Sequence, residues 1–287
     1  MTSLNKTLVA INEANVNAGA IVWWRLTDAV SVDRLAAAWT MAAHPMGLLP
    51  NRSSGFAALR SALQDVSKGN RVLVRPLEGR IGFALVDEEA SRDDLQYDVR
   101  VTVKLDDNED VGLIFSHAGG QESDIEKAFN ARKGSYSGGR IGSWLSDLAM
   151  HQCSGISLRP TGGVYFIPRD SVEQFRSYAD ALEMSSACTV YEVPAMESES
   201  AVKAILDALM AEAETEVEEI ATDLAPDTHK KSLNSRKRRC EAMGKKLEAY
   251  ADLLGDALDG IKAKLDVTHA KVVEALLDDI GDQLDLG

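Results

Sequence analysis

Residues 72–86 read VLVRPLEGRIGFALV, and residues 156–168 read ISLRPTGGVYFIP. Each stretch gives an apolar pair, Arg-Pro, a short spacer, Gly, and an apolar run containing an aromatic residue. The anchors are Arg75-Pro76 with Gly79, and Arg159-Pro160 with Gly162-Gly163. Proline removes a donor at a strand edge and glycine accepts positive φ, so each stretch predicts a β-hairpin. Upstream of each hairpin a Ser-Gly pair, Ser54-Gly55 or Ser137-Gly138, opens a helical segment. The pattern predicts helix, helix and hairpin used twice, a winged-helix-like outline within an α+β domain.

The elements around these hairpins follow from local pattern. Ala20 to Leu26 is β-branched and aromatic and predicts a strand. Ser31 caps a helix with Leu35, Trp39 and Met41 at helical spacing, which ends before Pro45. The helix from Ser54 buries Phe56, Leu59, Leu63 and Val66. Residues 95–105 alternate: Tyr97, Val99, Val101, Val103 and Leu105 point one way, and Asp98, Arg100, Thr102 and Lys104 the other. The acidic run 106–110 turns the chain into a partner strand through Phe115. Helices are predicted near 122–132 and 139–151, and Asp170 caps another with Val172, Phe175, Tyr178 and Leu182 inward. A last strand spans Cys188 to Val193. Leu4, Leu8 and Ile11 predict a short N-terminal helix.

Composition shifts at about residue 196, which divides the chain into an α+β domain (1–194) and an all-α tail (196–287). In the tail Leu206, Met210, Ala213, Val217, Ile220 and Leu224 recur every three or four residues. After Pro226, Cys240, Met243, Leu247, Tyr250, Leu254, Leu258, Ile261 and Leu265 do the same. This spacing predicts a coiled coil or helical hairpin. One helix from 229 to 265 would be roughly 55 Å long at ~1.5 Å per residue. A short helix follows, with Val272, Leu276 and Ile280 on its apolar side. The residues expected to mediate self-association are Leu206, Met210, Val217, Ile220, Leu247, Tyr250, Leu254, Leu258 and Ile261.

Charge bounds the partners. The net charge is −14. Residues 196–287 hold 12 Lys/Arg against 21 Asp/Glu, or −9, and residues 1–195 hold 19 against 24, or −5. Such a chain repels phosphate backbones at long range, so nucleic-acid binding requires a concentrated local patch. The balance favours a protein partner. No apolar run reaches the ~20 residues that span a bilayer. Cys153, Cys188 and Cys240 form no CxxC pair and cannot all pair internally, so a reducing cytoplasm is expected.

Two groups of basic residues are candidate contacts. In a winged-helix-like pair, Arg60 and Arg140 on the second helices and Arg75, Arg80 and Arg159 at the wings would reach a nucleic acid or a partner. The alternative is that Arg-Pro and Gly only shape tight hairpins. The second group is Lys230, Lys231, Arg236, Lys237, Arg238 and Arg239, extended by Lys245 and Lys246. It could grip an acidic partner or nucleic acid. It would equally pair with Glu212, Glu214, Glu216, Glu218 and Glu219 across an antiparallel turn at Pro226.

No catalytic, cofactor or metal pattern is matched. His151 and Cys153 lack a second ligand pair, and His117 has no nucleophile or carboxylate motif beside it. The 106–110 turn lacks the Gly and distal Glu of a calcium loop. Gly138-Gly139-Arg-Ile-Gly142 is neither a dinucleotide fingerprint nor a P-loop.

The hairpin RPTGGVYFIP at Arg159–Pro168, together with WRLTDAVSVDRLAAAW at Trp24–Trp39, resembles an uncharacterised family of bacterial and phage- or plasmid-borne proteins. The likeness covers roughly the first two-thirds of the chain, and a helical tail accompanies it in that family. It implies no activity and transfers no functional residue. It implies a cytoplasmic setting associated with mobile elements. The expectation is a non-enzymatic recognition and assembly protein that self-associates through its tail and binds another protein through its α+β domain. A nucleic-acid-binding protein is the alternative.

Overall fold

A computed structural model describes residues 17–27, 29–68, 72–90, 95–106, 112–117, 120–222 and 230–285. The expected N-terminal helix at Leu4, Leu8 and Ile11, most of the acidic turn, Leu224 and the break at Pro226 lie outside the described residues. The fold is mixed α+β with a helical C-terminal region. Contacts divide the chain into two compact units, one of residues 26–144 and 181–188, the other of 1–25, 145–180 and 189–287.

In the unit of residues 26–144 and 181–188, serine caps begin the helices. Ser31 accepts from the Arg34 N–H to open α1 (Val32–Met41), and Ser54 accepts from Ala57 to open α2 (Gly55–Val66). Ser137 accepts from Arg140 at the start of α4 (Gly138–Asp147). Each supplies an acceptor to a helix N–H that has no intrahelical partner. A two-residue pairing joins β2 (Val30–Ser31) to β7 (Ser135–Tyr136). The core of this unit is an antiparallel meander of β3 (Val72–Pro76), β4 (Gly82–Ala90), β5 (Leu95–Leu105) and β6 (Leu113–His117). Helices α2 and α3 (Glu122–Lys133) bury Leu59, Leu63, Ile125 and Phe129 with Phe83, Leu85, Val101 and Val103.

The expected alternation along β5 fails at Arg100. Leu85 pairs with Val101 and Val86 with Val99, so Arg100 is the extra residue of a bulge. Val101 and Val103 stay in the core, whereas Val99 and Tyr97 share the opposite face with Val86. Arg100 reaches back to Asp87 with bonds of 2.6 and 2.9 Å.

The other unit is built on a sheet in the order β10–β1–β9–β8, formed by β1 (Asn17–Arg25), β8 (Ile156–Ser157), β9 (Tyr165–Pro168) and β10 (Thr189–Met196). Strand β10 continues through Pro194, where the sequence predicted an end. An edge strand tolerates the missing donor. Trp23 stacks on Tyr191 and Trp24 on Tyr165, which accounts for both indoles. Helix α5 (Val172–Ser185) buries Val172, Phe175, Tyr178 and Leu182 as expected, but it starts from a 3₁₀ turn without a side-chain cap from Asp170.

Both repeats form hairpins, with Gly79 at φ 72° and Gly162 and Gly163 at 71° and 87°. The first belongs to the meander and the second to the β1 sheet. The repeated sequence therefore makes similar local turns in different sheets.

The tail forms α6 (Glu199–Thr222), α7 (Lys230–Ala249), a short α8 (Ala251–Leu254) and α9 (Asp259–Asp285). Two expectations are corrected here. The single helix over 229–265 is interrupted between Ala249 and Asp259, where Gly255 takes φ 51° and ψ −134°. The expected short terminal helix is instead the continuation of α9. The buried row on α6 is Ile205, Leu209, Ala213 and Ile220, so Leu206, Met210 and Val217 flank the seam rather than fill it. The domain boundary at 195 also differs from the observed division. The tail's apolar rows share one core with Ala18, Ile156, Phe166 and Ala195 of the sheet, because neither surface could otherwise leave water.

Candidate functional site

The tail residues expected to join two chains are occupied within one. Ile220, Leu247, Tyr250, Leu254, Leu258 and Ile261 are buried in the core of this unit, and Leu206, Met210 and Val217 pack on it. The seam is therefore not a free face for a second copy.

The basic cluster splits by direction. Arg239 donates to both Glu216 oxygens at 2.5 and 2.8 Å and to Glu219 at 2.6 Å. Lys246 is bonded to Glu212 at 2.5 Å. The order of these pairs, falling along α6 as it rises along α7, makes the two helices antiparallel. The Arg239 guanidinium is held well above its ordinary pKa by the hydrogen bond to Glu216, against burial, with Glu219 adding to it. Lys237 lies 3.9 Å from Glu241, and Arg236 is buried. The side chains of Lys230 and Lys231 lie outside the described residues. Arg238 and Lys245 are exposed and meet no carboxylate among the described residues.

These cations edge a cleft of about 600 Å³ whose opposite wall carries Met150, His151 and Ser154. That wall is a π-helical turn, Leu148–Gln152, followed by Ser154 at φ 50°. The Tyr250 hydroxyl donates to the Ser154 carbonyl at 2.9 Å, anchoring the turn to the end of α7. Burial, with the Glu212 charge adding to it, raises the Tyr250 phenol well above its usual range, so it remains a donor.

The other predicted arginines are dispersed. Arg60, Arg75 and Arg80 are exposed in the unit of residues 26–144 and 181–188. Arg140 is half-buried and donates to the Asn51 carbonyl, a structural role. Arg159 belongs to the other unit and caps its own hairpin, with its carbonyl accepting from Gly162 and its guanidinium near Thr161.

Residues 18–280 match the family of unknown function DUF6744. The chain belongs to that family. No curated protein and no solved structure matches it. The DUF6744 match runs from β1 into α9, so it covers both compact units and the tail as well as the hairpins. In this DUF6744 chain no group of three or more His, Cys, Asp or Glu converges among the described residues, and no helix is long and apolar enough to cross a membrane.

Sequence reading missed two features. The cleft wall at 150–154 carried only an isolated His-x-Cys as a signal, because a π turn has no sequence signature of its own. The outer face of the meander was hidden by the bulge at Arg100. That face presents Tyr97 at 51%, Val99 at 49% and Ile114 at 51% exposure, with Arg75 and Lys104 beside them.

Proposed function

We propose that this chain is a non-enzymatic recognition protein that binds a protein partner through the outer face of the β3–β6 meander. One-sided cover supports the reading. Helices α2 and α3 pack on one face, and the other leaves Tyr97, Val99 and Ile114 about half exposed. Large apolar side chains grouped on one surface are typical of interaction sites. Arg75 and Lys104 stand on the same face without an ion pair among the described residues, with Lys104 opposite Ile114 and Glu88 opposite Tyr97, so the complementary surface combines apolar groups with acidic groups placed to meet these two cations. The cytoplasmic, mobile-element setting rests on the resemblance at Trp24–Trp39 and Arg159–Pro168.

Chemical crosslinking through Lys104, in cells expressing the full chain, tests the proposal. It is expected to capture one partner at a surface rich in Asp and Glu, and Ile114→Asp should abolish the link. An undiminished link in Ile114→Asp rejects this face as the site.

Nucleic-acid binding is the second reading, favoured by Arg75 and Arg80, two exposed arginines of one hairpin with no ion pair among the described residues. Asp87, Glu88 and Asp98 on neighbouring strand positions weigh against it. Duplex binding that weakens steeply with salt and disappears in Arg75→Ala/Arg80→Ala would select it over the protein partner.

A further inference from the structure

The cleft between α6, α7 and the π turn holds polar groups that the ion pairs along its floor do not use. Glu212 and Glu216 are neutralised by Lys246 and Arg239. Arg238 and Lys245 line the same cleft and make no ion pair among the described residues. The Ser154 hydroxyl and the His151 ring line it as well, and neither makes a hydrogen bond among the described residues. Ser154 keeps a left-handed backbone conformation that a side chain disfavours. Such strain and π-helical turns both concentrate at functional sites. The volume of about 600 Å³ falls in the roughly 300–1,000 Å³ range of small-molecule sites, and Met150 and Met243 supply apolar lining.

We propose that this cleft binds a phosphate-bearing small molecule, with its anionic group held by Arg238 and Lys245 and its organic part against the two methionines. A guanidinium fork and an ammonium point charge suit a tetrahedral oxyanion that accepts from several directions. The Ser154 hydroxyl and the His151 ring add hydrogen-bonding groups from the opposite wall. Glu241, between Arg238 and Lys245 in sequence and in the same lining, limits the unpaired cations of the cleft to these two among the described residues, which suits a discrete anion better than a continuous nucleic-acid strand.

Calorimetric titration of the full chain with inorganic pyrophosphate, the smallest probe carrying two phosphoryl groups, tests the site. Saturable binding at one site per chain is expected. Arg238→Ala and Lys245→Ala should each weaken it about tenfold. Lys203→Ala, on an exposed part of α6 outside the cleft lining, should leave it unchanged. Equal melting temperatures across the variants show that the fold is retained. No saturable heat at millimolar pyrophosphate, or equal weakening by Lys203→Ala, overturns the proposal.

Discussion

The Lys246 ammonium lies 2.5 Å from the Glu212 carboxylate, with its side chain only 8% exposed. This pair and the Arg239 fork on Glu216 show how the acidic and basic runs of the tail are used: they fix the register of α6 against α7. Removing one partner leaves the other poorly solvated. Lys246→Ala is expected to cost roughly 1–3 kcal/mol in urea unfolding, since Glu212 is partly reached by water. Lys246→Met with Glu212→Leu should recover most of that loss. A double variant as unstable as the sum of its single changes would show that the two residues are not coupled.

The position of the seam on α6 makes a sharper comparison. Leu209 is fully buried, and Leu206 only packs against the core. Leu209→Ala should cost about 2–4 kcal/mol, as buried leucines do, and Leu206→Ala less than half as much. The reverse order in thermal or chemical melts would restore the heptad spacing read from the sequence.

Local features of this fold were legible because local chemistry determines them. Ser31, Ser54 and Ser137 could be read as helix starts from the acceptor each provides. The hairpin glycines could be read from their turns. What remained hidden depends on contacts distant in sequence. A bulge at Arg100 exchanges the faces of Tyr97 and Val99, and alternation within one strand carries no sign of the partner register. The apolar spacing of the tail fits a seam between chains as well as one closed on its own sheet, and the spacing carries no sign of Ala18, Ile156 and Phe166, far off in sequence, on which the rows pack. For the same reason the charge cluster was legible as a cluster, while the separation of Arg239 and Lys246 from Arg238 and Lys245 was not.

Cysteine reactivity tests the packing behind the cleft. Burial pushes the Cys153 thiol up to about 12. Burial also raises Cys240, with the Glu216 charge adding to it. The thiolate is the reactive species, so both should resist iodoacetamide at pH 8 in the native protein and react fully in denaturant. Mass spectrometry of the digested protein locates the label. Rapid native labelling at Cys153 would mean that the 148–154 turn opens to solvent.

Acid sensitivity should have an identifiable contribution at Asp65. Burial alone would raise this carboxyl, but hydrogen bonds from Lys68 at 2.9 Å and Arg132 at 2.6 Å outweigh it and hold the group below its usual range. A carboxyl depressed in the folded state stabilises it above the unfolded pKa of about 3.9, and this contribution is lost as pH falls through the folded value. With the pair partly exposed, the contribution is about 1 kcal/mol or less. Urea midpoints of the wild type should therefore fall more steeply below about pH 4 than those of Asp65→Asn. Parallel curves would remove Asp65 from the acid response.

Gly255 gives a test in which the sign of the effect decides. Its φ of 51° and ψ of −134° lie where a side chain is strained, and an added Cβ would meet no atom within 4 Å. Any penalty for Gly255→Ala is therefore conformational rather than a collision, and should be roughly 1–3 kcal/mol. A continuous helix over 229–265 would give the opposite result, because alanine in a helix interior is about 1 kcal/mol better than glycine. Destabilisation of Gly255→Ala in chemical unfolding supports the interrupted path between α7 and α9. An increase in stability, with a gain in helical circular dichroism, would rule that path out and favour the uninterrupted helix.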